Sequence, residues 1–430
     1  MIRGPVSLPR FDRRTIITNI LALFSGSVVA QGMTSLALLL TARQLSADIY
    51  GQYAASYVLT GFASIAFNLG LDIWLLREGS RKPESLAEYL GSILAIKLGI
   101  GLVWFVLLSA AAPHLNRLLN STAFPPSLLR LSAISVWLDC MLASLLTSYK
   151  ARLANKMTSI LQMSSRGAWL LGTLILISAN VVHASSFMLL RVLVLLIAFV
   201  TVLLLVAQRI GYRVTVLTIR SILRAASPFA ASEFLAWASM RVDTLIIALT
   251  LGQTQVGIYS PAVGIVNALH MVPATVYAVV MPVLSRSFSL NAAQAWLTTR
   301  RMLLLLMVLG LILALGTLAV SGFVPRLLGD SYAGSGPILA ILSSVLLLHS
   351  LTFGMAAVLV ATNQQNKRVI AQVIAVTLNI VLNLLIVPTY GIRGAAVVYV
   401  TTEITLLTGY SVFAYRKYRA PAPLSSTDPI

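Results

Sequence analysis

Charge is what this sequence has least of. Only 10% of its 430 residues are Asp, Glu, Lys or Arg, while 58% are hydrophobic. A soluble chain of this length needs far more charge to cover its surface, so a water-soluble globular domain is excluded. Acids are the scarcer sign, 12 against 31 basic residues, for a net charge of +19. In a soluble protein that excess would suggest nucleic acid. In a membrane protein basic residues collect in cytoplasmic loops, and no nucleic-acid partner is expected. Cysteine occurs once, Cys140, which excludes an internal disulfide and a cysteine-based metal cluster. Alternating ten-residue strands are missing, which argues against a β-barrel. There is no Gly-x-Ser-x-Gly element, phosphate-binding loop or His-Glu-x-x-His pair, and no cluster with metal-ligand spacing. No enzyme activity, cofactor or metal is therefore expected.

Long apolar runs are what the chain has instead, such as Ser25 to Leu40 and Met302 to Val320, and its mean hydropathy is +0.90. At about 1.5 Å rise per residue, some twenty apolar residues cross a ~30 Å hydrocarbon layer. The pattern predicts an all-α polytopic membrane protein of about twelve spans, at 18–42, 50–70, 90–112, 128–149, 157–180, 186–207, 227–250, 257–284, 302–324, 336–361, 369–388 and 394–415. The pair Pro125–Pro126 marks a clear break, and Pro325, Pro337 and Pro388 fall near other helix ends. Arg3, Arg10, Arg13 and Arg14 precede the first run, as in a signal peptide. That run is too long for a signal core and ends at no small-x-small site, so it reads as an uncleaved first span.

With both termini placed in the cytoplasm, 22 of the 31 basic residues fall in cytoplasmic segments. Only Arg43, Arg117, Arg326 and Arg393 fall outside, with Arg130 at a helix border. A miscount by one helix would scramble that bias, which supports twelve spans in the cytoplasmic (inner) membrane. The expected organisation is a basic N-terminus (1–17), a six-helix lobe (18–207), a basic linker (208–226), a second six-helix lobe (227–415) and a tail (416–430). Arg209, Arg213, Arg220 and Arg224 make the linker amphipathic, suited to lie along anionic lipid. Gly51-Gln-Tyr53 and Gly257-Ile-Tyr259 each open the second helix of a half. An even helix count per half gives the two copies one orientation in the membrane.

Several segments together carry a family resemblance. They are Ala42-Arg43 through Asp48-Ile-Tyr50-Gly51-Gln-Tyr53; Asn68-Leu-Gly70-Leu-Asp72; Arg241-Val-Asp243; Gly257-Ile-Tyr259-Ser-Pro-Ala262; Met281-Pro282; Ala361-Thr-Asn363; and Tyr390-Gly391-Ile-Arg-Gly394-Ala-Ala396. In order and spacing these resemble the polysaccharide-export branch of the multidrug/oligosaccharidyl-lipid/polysaccharide exporter superfamily, the Wzx-type flippases. The resemblance implies a V-shaped bundle of two lobes around a central cavity. It also implies alternating access that moves undecaprenyl-diphosphate-linked glycans outward for O-antigen or exopolysaccharide synthesis. The implied partners are that lipid-linked glycan, membrane lipids and other polysaccharide-assembly membrane proteins.

An ionisable group within the hydrocarbon costs roughly 2.5–3.5 kcal/mol on insertion scales, so each needs a reason. The basic ones are Lys97, Arg166, Arg191 and Arg241, and the acidic ones Asp139, Glu233, Asp243 and Glu403. Arginine offers a donor fork matched to phosphate oxygens, which makes Arg166 and Arg241 the leading diphosphate candidates. Lys97 and Arg191 are further candidates for substrate contact, although each sits near enough to a helix end to snorkel. Arg241 and Asp243, two residues apart on a helix, point about 200° apart. A carboxylate can bind a proton or a sodium ion and so couple a gradient to movement, which makes Asp243, Glu233, Asp139 and Glu403 candidates for ion coupling. The alternative for this whole set is structural ion pairing. Asn68, Gln162, Asn267, Asn379 and Asn383 are candidates for a polar glycan path; Asn379 and Asn383 share a helix face and equally suit interhelical hydrogen bonding. His270 and His349 read as packing histidines.

Two other functions compete. A cation-coupled multidrug antiporter would share the architecture but needs acidic cavity residues. The equal count of buried acids and bases leaves that choice open, and the motif pattern favours glycan export. A membrane glycan polymerase needs a large outer loop with catalytic groups. The longest outer loop, about Pro113 to Ser127, has His114 and Arg117 but no carboxylate.

Overall fold

The computed structural model describes the backbone of residues 13–118, 122–290 and 292–419. Every regular element among the described residues is helical. The first half holds α1 (Arg13–Gln44), α2 (Ala47–Asn68), the short α3 (Leu71–Arg81), α4 (Leu86–Leu118), α5 (Pro126–Ala151), α6 (Asn155–Ser178) and α7 (Ala184–Arg209). The second holds α8 (Val216–Thr250), α9 (Gln253–Leu269), α10 (Met271–Leu290), α11 (Ala292–Ser321), the short α12 (Val324–Leu328), α13 (Ser335–Ala361) and α14 (Gln365–Arg419). Helices satisfy every backbone polar group internally, which hydrocarbon demands. Nine stretches among the described residues are long and apolar enough to cross a membrane.

The last of these, α14, is a hairpin. Its backbone leaves helical geometry at Gly391, φ 64° and ψ −154°. Asn379 Nδ2 donates to Thr402 Oγ1 at 3.0 Å, and a Cβ on Gly409 would meet the Cβ of Ala371 at 3.1 Å. Those residue numbers sum to nearly the same value, so the two arms run antiparallel about a turn near Tyr390. Counting its arms separately, with α2 and α8, accounts for the twelve predicted spans.

Three expected boundaries shift. The span predicted at 257–284 is two helices meeting at His270, where Pro273 has no N–H to continue the ladder. The chain between the lobes is not a linker up to residue 226, because α8 starts at Val216 and runs unbroken into the second lobe. Its first turns lie on the first lobe, with Ile222 and Ala226 buried beside Leu71, Leu75 and Leu90. The segment 71–81, read as loop, is α3.

The turns share one device. Ala154 N donates to Tyr149 O, Val181 N to Leu176 O, Gly211 N to Val206 O and Gln364 N to Leu359 O. Each is a six-to-one hydrogen bond; three of them close round a left-handed residue, Leu153, Asn180 and Asn363, and in the other the donor Gly211 is itself left-handed.

The halves repeat their packing. In the first, α4 packs on α5 and α5 on α7; in the second, α11 packs on α13 and α13 on α14. Between the halves α2 lies along α9. This contact needs glycine on both sides: a Cβ on Gly51 would overlap the carbonyl of Gln253, and one on Gly257 that of Ala47. Thr254 Oγ1 donates to Asp48 Oδ1 at 2.7 Å, and the Tyr332 hydroxyl donates to the carbonyls of Ala42 and Leu45 at 2.7 and 3.0 Å. The lobes are thus sealed together at the end where the α1–α2 and α8–α9 turns meet.

Candidate functional site

Below that seal the lobes enclose a cavity of about 640 Å³, within the range of small-molecule sites. It runs from Tyr50 and Tyr53 on α2 to Lys150 in the last turn of α5. Its polar wall includes Gln31 and Thr34 of α1, Gln162 and Ser165 of α6, Thr244 of α8, and Ser260 and Asn267 of α9. Among the described residues the charged side chains on the wall are Asp72, Asp139, Lys150, Arg166, Arg191 and Arg241, an excess of two positive charges.

Three of these form one cluster. Asp139 on α5 accepts from Arg166 Nη2 of α6 at 3.0 Å and stands 4.0 Å from Arg191 Nη2 of α7. The Arg191 guanidinium lies 4.2 Å over the Tyr57 ring and 4.8 Å from the Trp169 ring, and donates to the Tyr57 hydroxyl at 2.8 Å. Aromatic faces and one carboxylate hold it inside the lobe, so Arg191 does not snorkel to the interface. Asp139, a candidate for ion coupling, is shared between two arginines.

Arg241 differs. It lines the cavity from α8, and none of the ion pairs among the described residues includes it. Asp243, two residues on, turns away and is buried. It accepts from the Tyr259 hydroxyl of α9 at 2.5 Å and from the Thr244 N–H at 2.7 Å. The Glu233 side chain, and that of Trp237, lie outside the described residues.

The other expected site residues do not reach the cavity. Lys97 is 0% exposed. Its Nζ donates to Asn68 Oδ1 at 2.7 Å, to both Asp72 oxygens at 2.9 and 3.0 Å, and to the Cys140 carbonyl at 3.0 Å. With its donors consumed it neither snorkels nor offers itself to a substrate here. Asn379 and Asn383 are buried within the α14 hairpin. Asn379 bonds Thr402, and Asn383 Nδ2 donates to the Asn379 side-chain and main-chain oxygens. Glu403 is buried against His349, Nε2 to Oε1 at 3.0 Å, and the His270 and His349 ring centres lie 4.4 Å apart. His349 is therefore partnered by a carboxylate rather than merely packed.

Among the charged wall residues, sequence reasoning missed two. Asp72 sits on α3, a helix too short and too charged to register as a span. Lys150 lies one residue past the span expected at 128–149, yet it occupies the last turn of α5.

The family model described as "Polysaccharide biosynthesis protein" matches residues 40–333. No curated protein matches the chain. A MATE-family multidrug resistance transporter of the MOP superfamily, inward-facing, superposes with a TM-score of 0.67 at 13% identity, over 90% of this chain and 94% of that one. The lipid II flippase MurJ, in an inward closed conformation, gives 0.63 at 16% identity, over 93% and 87%. A MOP-superfamily transporter from Pyrococcus furiosus, described as having a binding pocket of reversed polarity, gives 0.60 at 14% identity, over 97% and 98%. At such identities the likeness shows the fold. With the match across more than half its length, the chain is a polytopic membrane protein of the polysaccharide biosynthesis protein family, built on the MOP-superfamily fold.

Proposed function

We propose that this protein is a flippase that moves undecaprenyl-diphosphate-linked oligosaccharide across the cytoplasmic membrane. The observation that carries the reading is the sign of the cavity. Among the described residues four basic side chains line it against two acidic ones, and Arg241 faces it outside every ion pair that those residues form. A lipid diphosphate is a compact anion, and arginine pairs with phosphate oxygens through two donors at once. Away from the charges the wall carries Gln, Thr, Ser and Asn groups suited to sugar hydroxyls.

The basic residues concentrate at the end of the bundle opposite the seal, which supports a cytoplasmic position for that end. The described state then presents its cavity inward, and alternating access requires the α2–α9 seal to part while the opposite ends close. The buried acids Asp243 and Glu403 lie off the substrate path in the second lobe. There a proton or sodium ion would drive the change without competing with the glycan. A cation-exporting antiporter is disfavoured because it needs the reverse excess on the wall.

Deleting the gene tests this reading. Lipid-linked oligosaccharide should accumulate, detected by mass spectrometry of extracted lipids. Sensitivity to cationic dyes with no such lipid would replace it with the antiporter.

A further inference from the structure

A second feature lies on the outside of the first lobe, away from the cavity. Where α8 begins, its first turns run beside α4 and leave a groove between the two helices. Ala95, Gly99 and Val103 of α4 form one wall, and Ile219 and Leu223 of α8 the other. It is almost wholly apolar. Gly99 is its notch: a Cβ there would meet nothing within 4 Å, so this glycine serves no helix contact and leaves space instead.

Helical register sets charge beside the groove. Ile219 and Leu223 are four apart and share a face, and Arg220 and Arg224 follow each by one residue, about 100° round the helix. Both arginines are exposed. On the third face Ile222 and Ala226 are buried in the first lobe. The segment before α8 is tied down as well, Arg213 N donating to the Ala87 carbonyl at 2.9 Å and Thr215 Oγ1 to Glu88 Oε1 at 2.6 Å. An apolar channel along α4 with two cations flanking its α8 wall matches an amphiphile with an anionic head and one chain along Gly99.

We propose that this groove is a binding site for an anionic phospholipid, headgroup on Arg220 and Arg224 and one acyl chain along Gly99. The occupant is set by charge complementarity: a zwitterionic lipid fills the channel equally but gains little from the arginines. The consequence follows from α8 being unbroken. Its first turns belong to the first lobe and the rest, with Arg241, to the second. A lipid seated there fastens the shared helix to α4 and favours the described arrangement of the lobes.

Native mass spectrometry of the purified full-length protein tests this, titrating phosphatidylglycerol against phosphatidylcholine of the same chains. Wild type should retain one phosphatidylglycerol preferentially. The Arg220→Gln, Arg224→Gln double variant should lose that preference on the order of tenfold, while Arg300→Gln, Arg301→Gln should keep it. Gly99→Leu, which fills the channel and leaves the charges, should release the bound lipid; Val103→Phe gives the same readout if Gly99→Leu does not accumulate. Unchanged preference in the double variant, equal loss in the Arg300/Arg301 control, or undisturbed binding in both groove variants would overturn the proposal. Displacement of phosphatidylglycerol by equimolar undecaprenyl phosphate would do so too, by assigning the groove to the carrier. None of these readouts depends on transport, so the flippase reading can fail without this one.

Discussion

Gly51 and Gly257 occupy equivalent places in the two lobes and pack reciprocally, each against the carbonyl four residues before the other. The neighbouring pair Asp48 and Thr254, three residues before each glycine, is bridged by a 2.7 Å hydrogen bond. The seal between the lobes is thus a near-symmetric crossing whose closeness depends on two missing side chains. Gly51→Val should force the helices apart. In a Cys140→Ala background, Asp48→Cys with Thr254→Cys should react efficiently with a short thiol crosslinker, and adding Gly51→Val should cut the yield several-fold. An unchanged yield would show that the glycines do not set this contact.

Lys97 and Asp72 make the second prediction. Removing one partner of a buried ion pair costs roughly 3–5 kcal/mol, because the other is left uncompensated. Asp72 keeps some exposure to the cavity, so the lower end is expected. Lys97→Met should lower protein abundance and melting temperature, and Asp72→Asn added to it should restore much of both. If Lys97→Met accumulated normally but lost export, the lysine would belong to the substrate path after all.

Arg166 and Asp139 should behave as a unit. Arg166→Gln removes the 3.0 Å partner of a carboxylate that retains Arg191 only at 4.0 Å. Reduced accumulation is expected, recovered in part by Asp139→Asn, as an immunoblot of membranes would show. Normal accumulation with export abolished would move Arg166 into direct substrate contact.

Asn379→Ala should act on stability alone. Its amide bonds Thr402 across the α14 hairpin and supports Asn383, and a polar link of this kind in a membrane contributes about 0.6 kcal/mol, up to roughly 2. A small drop in melting temperature with export per molecule unchanged is expected. Reduced export by a fully stable variant would contradict it.

Much of this was legible beforehand. Run length and the basic bias located the spans, and the Gly-x-Tyr echo marked residues that meet at the seal. The 200° separation of Arg241 and Asp243 anticipated that they point apart, and the structure has one on the cavity and the other on Tyr259. What stayed hidden was which face of each helix looks inward. A spanning helix is apolar toward lipid and toward its neighbours alike, so no periodicity separates the two. Asn379 and Lys97 could therefore be placed at a depth but not on a face. Counting charges by depth also balanced acids against bases, because it included Lys97, Asp243 and Glu403, which turn away from the cavity, and omitted Asp72 and Lys150, which line it. The positive excess among the described wall residues emerges only when each side chain's direction is known.

The most direct test uses purified protein in liposomes with a synthetic fluorescent undecaprenyl-diphosphate oligosaccharide, following the fraction that becomes quenchable by membrane-impermeant dithionite. A hydrogen bond to a charged group contributes about 1.5–3 kcal/mol, so Arg241→Gln should slow the quench about tenfold or more at equal protein content. Wild type should far outpace empty liposomes, and the variant should fall most of the way toward them. Wild-type rates no faster than empty liposomes, or equal rates in wild type and Arg241→Gln, would contradict a diphosphate-reading cavity.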